Sequence, residues 1–459
     1  MSKSENINAA VFTGVLSVII GFNYLYAGMS IPGCAINIIG LSILFFFIIT
    51  RNIKYLVLFF FLNFMLGPFF LFDFSFLGYS NIGRLDYLVG IIGLVSNLHK
   101  EKNFAVKRFI QGLSCLFVLW TIYNLYIQNN SLDDLYGYYA GIAFAYEFYM
   151  SICILSEQKK FFKYGMLVIM LIHIGLSIVQ LFVPLYLRTG TSTGALIIAG
   201  FNITRPVGIL SNYYAYGGNT IAAFFIVYVC SDKNARKILK LLFPITLFIC
   251  IISTRSVLIG FLIFIMLTLL ESKSLRTPYF ILLIVGGIGI IVYVLTHYIA
   301  LVSISDQSNG TKLVLWGYCL NVYFTESSVL QMFIGHGVET AKELGRTVYD
   351  YLRDIGITKS LDNRINGQDV FPIHNEYLQV LYECGVIIFV YYLRKIYMTL
   401  KLSVGKRKLS TLLLCIMFGN YMLHNGFLSD MLIFSICIVL YEYENGYRLE
   451  STDNQIQFT

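Results

Sequence analysis

Charged residues are scarce, at 13% of the 459-residue chain, about half the share of a water-soluble domain. A solvated globular surface is excluded by that shortage. Strand-length alternation of polar and apolar residues is missing too, which argues against a membrane barrel. No Gly-rich phosphate-cradling motif opens a helix, so ATP hydrolysis has no support. The nine cysteines are scattered without paired spacing, nearly all inside apolar segments. Neither a disulfide framework nor a metal site is expected from them. Internal repeats and low-complexity tracts are absent. The opening "MSKSENINAAVF" has one lysine and no small-residue cleavage pattern, so it is expected to be retained rather than removed as a signal.

What is present is apolar: 57% of the chain is hydrophobic. Runs such as "YFILLIVGGIGIIVYVL" and "SVLIGFLIFIMLTLL" approach the roughly 20 residues that cross a hydrocarbon core. In lipid their backbone must be helical, because nothing else there satisfies its hydrogen bonds. The expectation is an all-α polytopic membrane protein with about 14 spans (range 11–14). They fall at 9–27, 33–50, 55–72, 85–98, 109–128, 136–155, 162–183, 213–230, 238–252, 256–270, 278–300, 376–393, 410–424 and 428–443. With the N-terminus inside, the basic clusters "RNIK", "HKEKNFAVKR", "SEQKKFFK", "SDKNARK", "ESKSLR" and "LRKIYMTLKLSVGKRK" all share one face. Both termini are therefore expected in the cytoplasm. The net charge of +8 is mostly this bias, and calls for no nucleic-acid partner.

Two external segments stand out, 184–212 and 301–373. Loops this long between packed spans signal function. Within the second, Val338, Ala341, Leu344, Val348, Tyr351, Leu352 and Ile355 recur at helical spacing, as in an amphipathic helix lying on a membrane or capping a cavity. Outside that loop the external arginines are Arg84, Arg188, Arg205 and Arg255. Pro206 biases Arg205 toward an extended backbone, while Gly208 permits close approach. An arginine so presented suits phosphate, because its rigid fork donates two hydrogen bonds and never loses its charge. The bland alternative is a head-group arginine that snorkels. Arg255, in the turn "STRSVLIG" between two apolar runs, needs a polar cavity or a partner.

"FPIHNEYLQVLYECGVIIF" carries His374, Asn375, Glu376, Tyr377 and Glu383 into the start of a span. An imidazole there can take a proton from a hydroxyl nucleophile. Alternatively His374-Asn375 caps the helix, Asn being a favoured cap. Glu383 reads as a buried partner of an arginine or as a functional carboxylate, and Glu147 has the same standing. His336 and His424-Asn425 are also external, but separate segments without ligand spacing do not make a metal site. His173 and His297 read as satisfied packing residues.

In chain order, "RPVGILS", "STRSVLIGFLI", "KLVLWGYCLNVYFTESSVLQMFIGHG" and "HNEYLQVLYECG" resemble the bacterial O-antigen polymerase and O-antigen ligase superfamily. They are similar to its external Arg-x-x-Gly element, its Ser-x-Arg turn, its stretch from a basic residue through Trp to Gly-x-Gly, and its His-Asn, nine residues, Gly pattern. The resemblance covers roughly 184–394. Lys312 stands where the basic position is often Arg, and Ile388 where ligases tend to have a small residue or Tyr. Eleven residues separate Arg205 from Gly217, against ten in some polymerases. These departures favour polymerase over ligase.

The resemblance implies a GT-C-like bundle in the bacterial inner membrane that joins undecaprenyl-diphosphate-linked glycans on its periplasmic face. It implies His374, Arg205 and Arg255 as catalytic residues. Arg188, Lys312, Asn375, Glu376, Tyr377 and Glu383 would bind substrate, with Glu376 the alternative base. No metal or other cofactor is implied. Partners would be the lipid-linked donor and acceptor, the bilayer and a polysaccharide chain-length regulator. The alternatives are a ligase acting on lipid A-core, and a flippase or other transporter. A transporter would show interrupted helices in corresponding halves, whereas the features here are asymmetric.

Overall fold

The computed structural model describes residues 98, 101–126, 141–143, 145, 146, 149, 150, 165–185, 195–198, 201–210, 213–254, 256–271, 307–337, 340, 341, 344–347, 373, 375–403, 409–422 and 430–444. Expected spans 9–27, 33–50, 55–72 and 278–300, nearly all of 85–98 and part of 136–155 lie outside these residues. So do Arg84, Glu147, Arg188, Arg255, His297, His374, His424 and Asn425, and most of 338–355.

Among the described residues the regular structure is helical apart from one short hairpin. Helices α1 (Phe104–Tyr126) and α2 (Gly165–Phe182) precede strands β1 (Ala195–Ile198) and β2 (Phe201–Thr204). Then come α3 (Tyr213–Cys230), α4 (Lys233–Ser253), α5 (Ser256–Glu271), α6 (Gln307–Thr325) and α7 (Val329–Ile334). Last are α8 (Glu376–Ser403), α9 (Leu409–Tyr421) and α10 (Asp430–Glu444). The spans expected at 109–128, 162–183, 213–230, 238–252, 256–270, 410–424 and 428–443 are thus helices close to their expected bounds. Among the described residues two helical stretches, α1 and α8, are long and apolar enough to cross a membrane by length and composition along the chain.

On α1 the buried positions Val106, Phe109, Ile110, Leu113, Phe117, Trp120, Tyr123 and Asn124 follow the helical period. Its other face is apolar as well, with Val118, Leu119 and Ile122 exposed, a distribution at odds with contact to water. The Glu444 carboxylate, at the end of α10, accepts the Phe104 and Ala105 amides (3.0 and 2.7 Å). An acid at a helix start satisfies orphan donors and complements the dipole. Between α3 and α4, Asp232 caps the second helix through the Ala235 amide (3.0 Å). Arg236 in turn donates to the Tyr228 and Val229 carbonyls (3.0 and 2.9 Å) that close the first. Where α5 crosses α9, a β-carbon on Gly419 would lie 2.4 Å from the Gly260 nitrogen, so the two backbones touch in the small-residue manner of membrane helices.

Two findings depart from the sequence reading. The segment expected as loop 184–212 contains the β-hairpin, paired antiparallel from Ala195 with Thr204 to Ile198 with Phe201. The segment expected as one straight span from 376 is folded at Gly385, whose φ of 74° and ψ of 176° are non-helical. The Tyr392 phenol donates to Glu376 Oε1 at 3.0 Å, although sixteen positions of straight helix would part them by about 24 Å. α8 is therefore a helical hairpin of limbs 376–384 and 386–403. The longer limb is about 27 Å long and carries Arg394, Lys395 and Lys401.

Candidate functional site

The site is built from three segments. The first is the strap that follows β2. Arg205 is half-buried there, and the residues after it are pinned to α2 and α4. The Ser253 hydroxyl donates to the Pro206 carbonyl (2.7 Å). The Val207 and Gly208 amides both donate to Gln180 Oε1 (2.9 and 2.8 Å). Gln180 Nε2 returns hydrogen bonds to the Leu185 and Gly208 carbonyls (2.7 and 3.1 Å). The Ile209 amide donates to His173 Nδ1 (3.2 Å), and His173 Nε2 lies 2.8 Å from Thr220 Oγ1. A ring whose Nδ1 accepts carries its proton on Nε2. His173, read from sequence as a packing residue, also stacks on Tyr216, with centroids 5.2 Å apart. The Tyr216 phenol donates to Ser177 Oγ (2.7 Å).

The second segment is the turn between α4 and α5. Its buried residues Ser253, Thr254 and Ser256 flank Arg255. Thr254 Oγ1 accepts the Gly217 amide (3.1 Å), and the Ser256 hydroxyl donates to Asn420 Oδ1 (2.7 Å). Turn and strap therefore lie side by side, joined through Ser253, and the turn bonds the last turn of α9 through Ser256.

The third segment is the first limb of α8. Asn375 caps it, Oδ1 accepting the Leu378 amide (3.1 Å), as the capping alternative expects. The preceding Ile373 carbonyl takes the Trp316 indole N–H from α6 (2.7 Å). His374 is thus bracketed by two anchored neighbours. Glu376 is fully buried and receives the Tyr392 phenol. The Tyr377 phenol donates to the Phe418 carbonyl (2.9 Å), so this limb meets the same turn of α9 that holds Ser256. The turn that holds Ser256 and the limb that follows Asn375 therefore both bond the last turn of α9.

Glu383 sits elsewhere, at the fold of α8. Its buried carboxylate accepts the Ala341 amide on Oε1 and the Gln379 side-chain amide on Oε2 (3.2 Å each). The fold leaves the end carbonyls of the first limb without helical donors. The segment after α7 supplies them: the His336 amide reaches the Tyr382 carbonyl (2.9 Å) and the Gly337 amide the Glu383 carbonyl (3.1 Å). The Trp120 indole of α1 donates to that same carbonyl (3.0 Å). Gly335 and Gly337 have φ of 95° and 104°, open to glycine alone at little cost. So the Gly-x-Gly stretch and the end of the His-Asn pattern, about fifty residues apart in sequence, interlock by main chain.

His336 stacks flat on Tyr382, with centroids 4.2 Å and planes 5° apart, and its Nε2 lies 2.6 Å from Ser327 Oγ. Burial holds its imidazole below the usual 6.5. Leu315, Cys319, Val322 and Tyr323 of α6 pack with Ala341, Leu344, Ile373, Leu381 and Tyr382. Burial, aided by the Glu383 charge, pushes the Cys319 thiol up to about 12, an unreactive thiol. α6 also carries Lys312, whose side chain lies outside the described residues. No family model, no curated protein and no solved structure matches the chain. What bears on function is therefore the linkage itself: an arginine strap tied to the turn at Ser253, and that turn and a buried carboxylate limb both bonded to one helix end. Such a set can hold an anion and accept a proton.

Sequence reasoning missed Gln180, Asn420 and Tyr392, which organise these segments. All three are polar residues inside apolar runs, a signal that marks internal partners in membrane helices.

Proposed function

We propose that the protein polymerises undecaprenyl-diphosphate-linked oligosaccharide repeats on the periplasmic side of the bacterial inner membrane, as a multi-pass glycosyltransferase of about 14 spans with cytoplasmic termini. The observation that carries this is that turn residue Ser256 and limb residue Tyr377 both bond the last turn of α9, while the strap is tied to the turn through the bond from Ser253 to the Pro206 carbonyl. Segments carrying three of the resembled family's four motifs are thereby linked, strap to turn and turn, through α9, to limb.

In this reading Arg205, Arg255 and Arg188 hold the donor diphosphate. His374, or Glu376, accepts the proton of the acceptor hydroxyl as its oxygen bonds to the donor's anomeric carbon. The bond from that carbon to the diphosphate oxygen breaks, and undecaprenyl diphosphate leaves with the electron pair. The arginines stabilise the charge that grows on it, electrostatic catalysis that calls for no metal. Lys312, Asn375, Tyr377 and Glu383 line or frame the glycan path, and the bilayer holds both lipid tails. A polysaccharide chain-length regulator is the expected protein partner.

Arg205→Ala and His374→Ala are expected to insert normally yet leave surface lipopolysaccharide with a single repeat in place of a ladder on gels. Long chains in both variants sink the site. A strain lacking the gene separates the activities: core plus one repeat marks a polymerase, and bare core marks a ligase or a flippase.

A further inference from the structure

We infer that Gln180, on α2, is a positioning residue that presents Arg205 to the diphosphate, with His173 and Ser253 as its supports. The inference rests on the reading of Arg205 as a diphosphate ligand. The observations are the hydrogen bonds themselves. Gln180 is fully buried, and its side-chain amide makes four contacts, two accepted from N–H groups and two donated to carbonyls. Main-chain donors and acceptors cannot exchange roles, so the amide has only one orientation that satisfies all four. It behaves like a strand placed alongside the strap.

The segment it serves has no regular structure of its own, and a half-buried arginine needs a fixed backbone to hold one direction. Pro206 fixes its own φ, and Ser253 holds its carbonyl. Gln180 holds the next two amides, and His173 holds the one after, at Ile209. A β-carbon on Gly208, whose φ is 58°, would fall 2.3 Å from His173 Nδ1. Strap and imidazole are thus in direct contact. On the other side Thr204 is tied into the hairpin. Arg205 is the one residue between these two anchored stretches that carries a charge. Preorganisation of this kind lets a guanidinium meet a diphosphate without first ordering a loop.

The test is a double-mutant cycle on purified protein in detergent, with undecaprenyl diphosphate as probe and undecaprenol as the uncharged control. Gln180→Met keeps length and loses every hydrogen bond. It is expected to weaken diphosphate binding about tenfold in the wild-type background, with undecaprenol binding unchanged, and to have no further effect in an Arg205→Ala background. A purely structural role predicts equal losses in both backgrounds, and that result overturns the inference. Should Gln180→Met fail to fold, Ser253→Ala removes a single anchor and enters the same cycle. If Arg205→Ala weakens binding while neither partner variant does, the positioning role alone falls. If Arg205→Ala leaves diphosphate binding intact, the reading of Arg205 falls and the inference with it.

Discussion

Gly335 and Gly385 pack main chain against main chain: a β-carbon on Gly385 would come within 2.5 Å of the Gly335 nitrogen, and one on Gly335 within 2.1 Å of the Glu383 carbonyl oxygen, two residues before Gly385. Both have positive φ. The fold in α8 and the turn after α7 are consequently one feature, made by two chain segments together.

Alanine at either glycine forces the segments apart. Gly335→Ala and Gly385→Ala are each expected to lower stability by about 1–3 kcal/mol through overpacking at a strained backbone. Because both break the same contact, the double variant should lose much less than the sum. Hydrogen exchange of peptide 333–341, with melting in detergent, reads this out. Unchanged exchange in both variants would show that the interlock does not hold the segments.

The pair Tyr392 and Glu376 links the two limbs of α8. Tyr392→Phe removes the donor to a buried acceptor and should cost about 1–3 kcal/mol. Glu376→Gln keeps an oxygen that accepts from the phenol and should cost clearly less. Chemical denaturation in a mild detergent distinguishes them, and equal losses would mean that the phenol does not carry the link.

His336 gives the cap a pH dependence. Its proton affinity is lowered by burial in the folded state, so the unfolded chain binds the proton more readily as pH drops past the unperturbed 6.5. Its contribution is complete above that value and is lost as pH falls toward the lower folded value. Protection of 333–341, taken as the intrinsic exchange rate at each pH over the observed rate, should therefore fall between pH 7.5 and 5.5, and His336→Gln should remove that change. The groups around it are Ser327, Tyr382 and, through the main chain, Glu383. A profile that persists in His336→Gln would move the effect to Glu383.

The helices were largely legible in the sequence, since in α3, α4 and α5 an apolar run bounded by polar breaks is itself the physical requirement for a buried helix. The non-helical strap at Arg205 was legible because Pro206 and Gly208 mark a shaped backbone. The fold of α8 was not, because a glycine in an apolar run fits a straight helix equally well. What meets the chain where it bends at Gly385 is the pair of amides of His336 and Gly337, bonded to the Tyr382 and Glu383 carbonyls. α6 was hidden for a related reason. Its buried positions Leu315, Cys319, Val322 and Tyr323 follow a helical period, but a polar first turn places them in what hydropathy reads as loop. His173 looked like packing because its partners, Ile209 and Thr220, come from other elements.

The hairpin in α8 also changes how depth is to be measured along this stretch. A ruler that counts residues from one end assigns positions 376 and 392 to opposite leaflets, yet the hydrogen bond between them puts their reactive tips at one level. Cysteine-scanning reagents or spin labels placed from 376 to 403 should thus report a depth that reverses at 385. Reporter fusions truncated inside this window would strip the first limb of its counterpart, and their signal would describe the truncated chain rather than the intact fold.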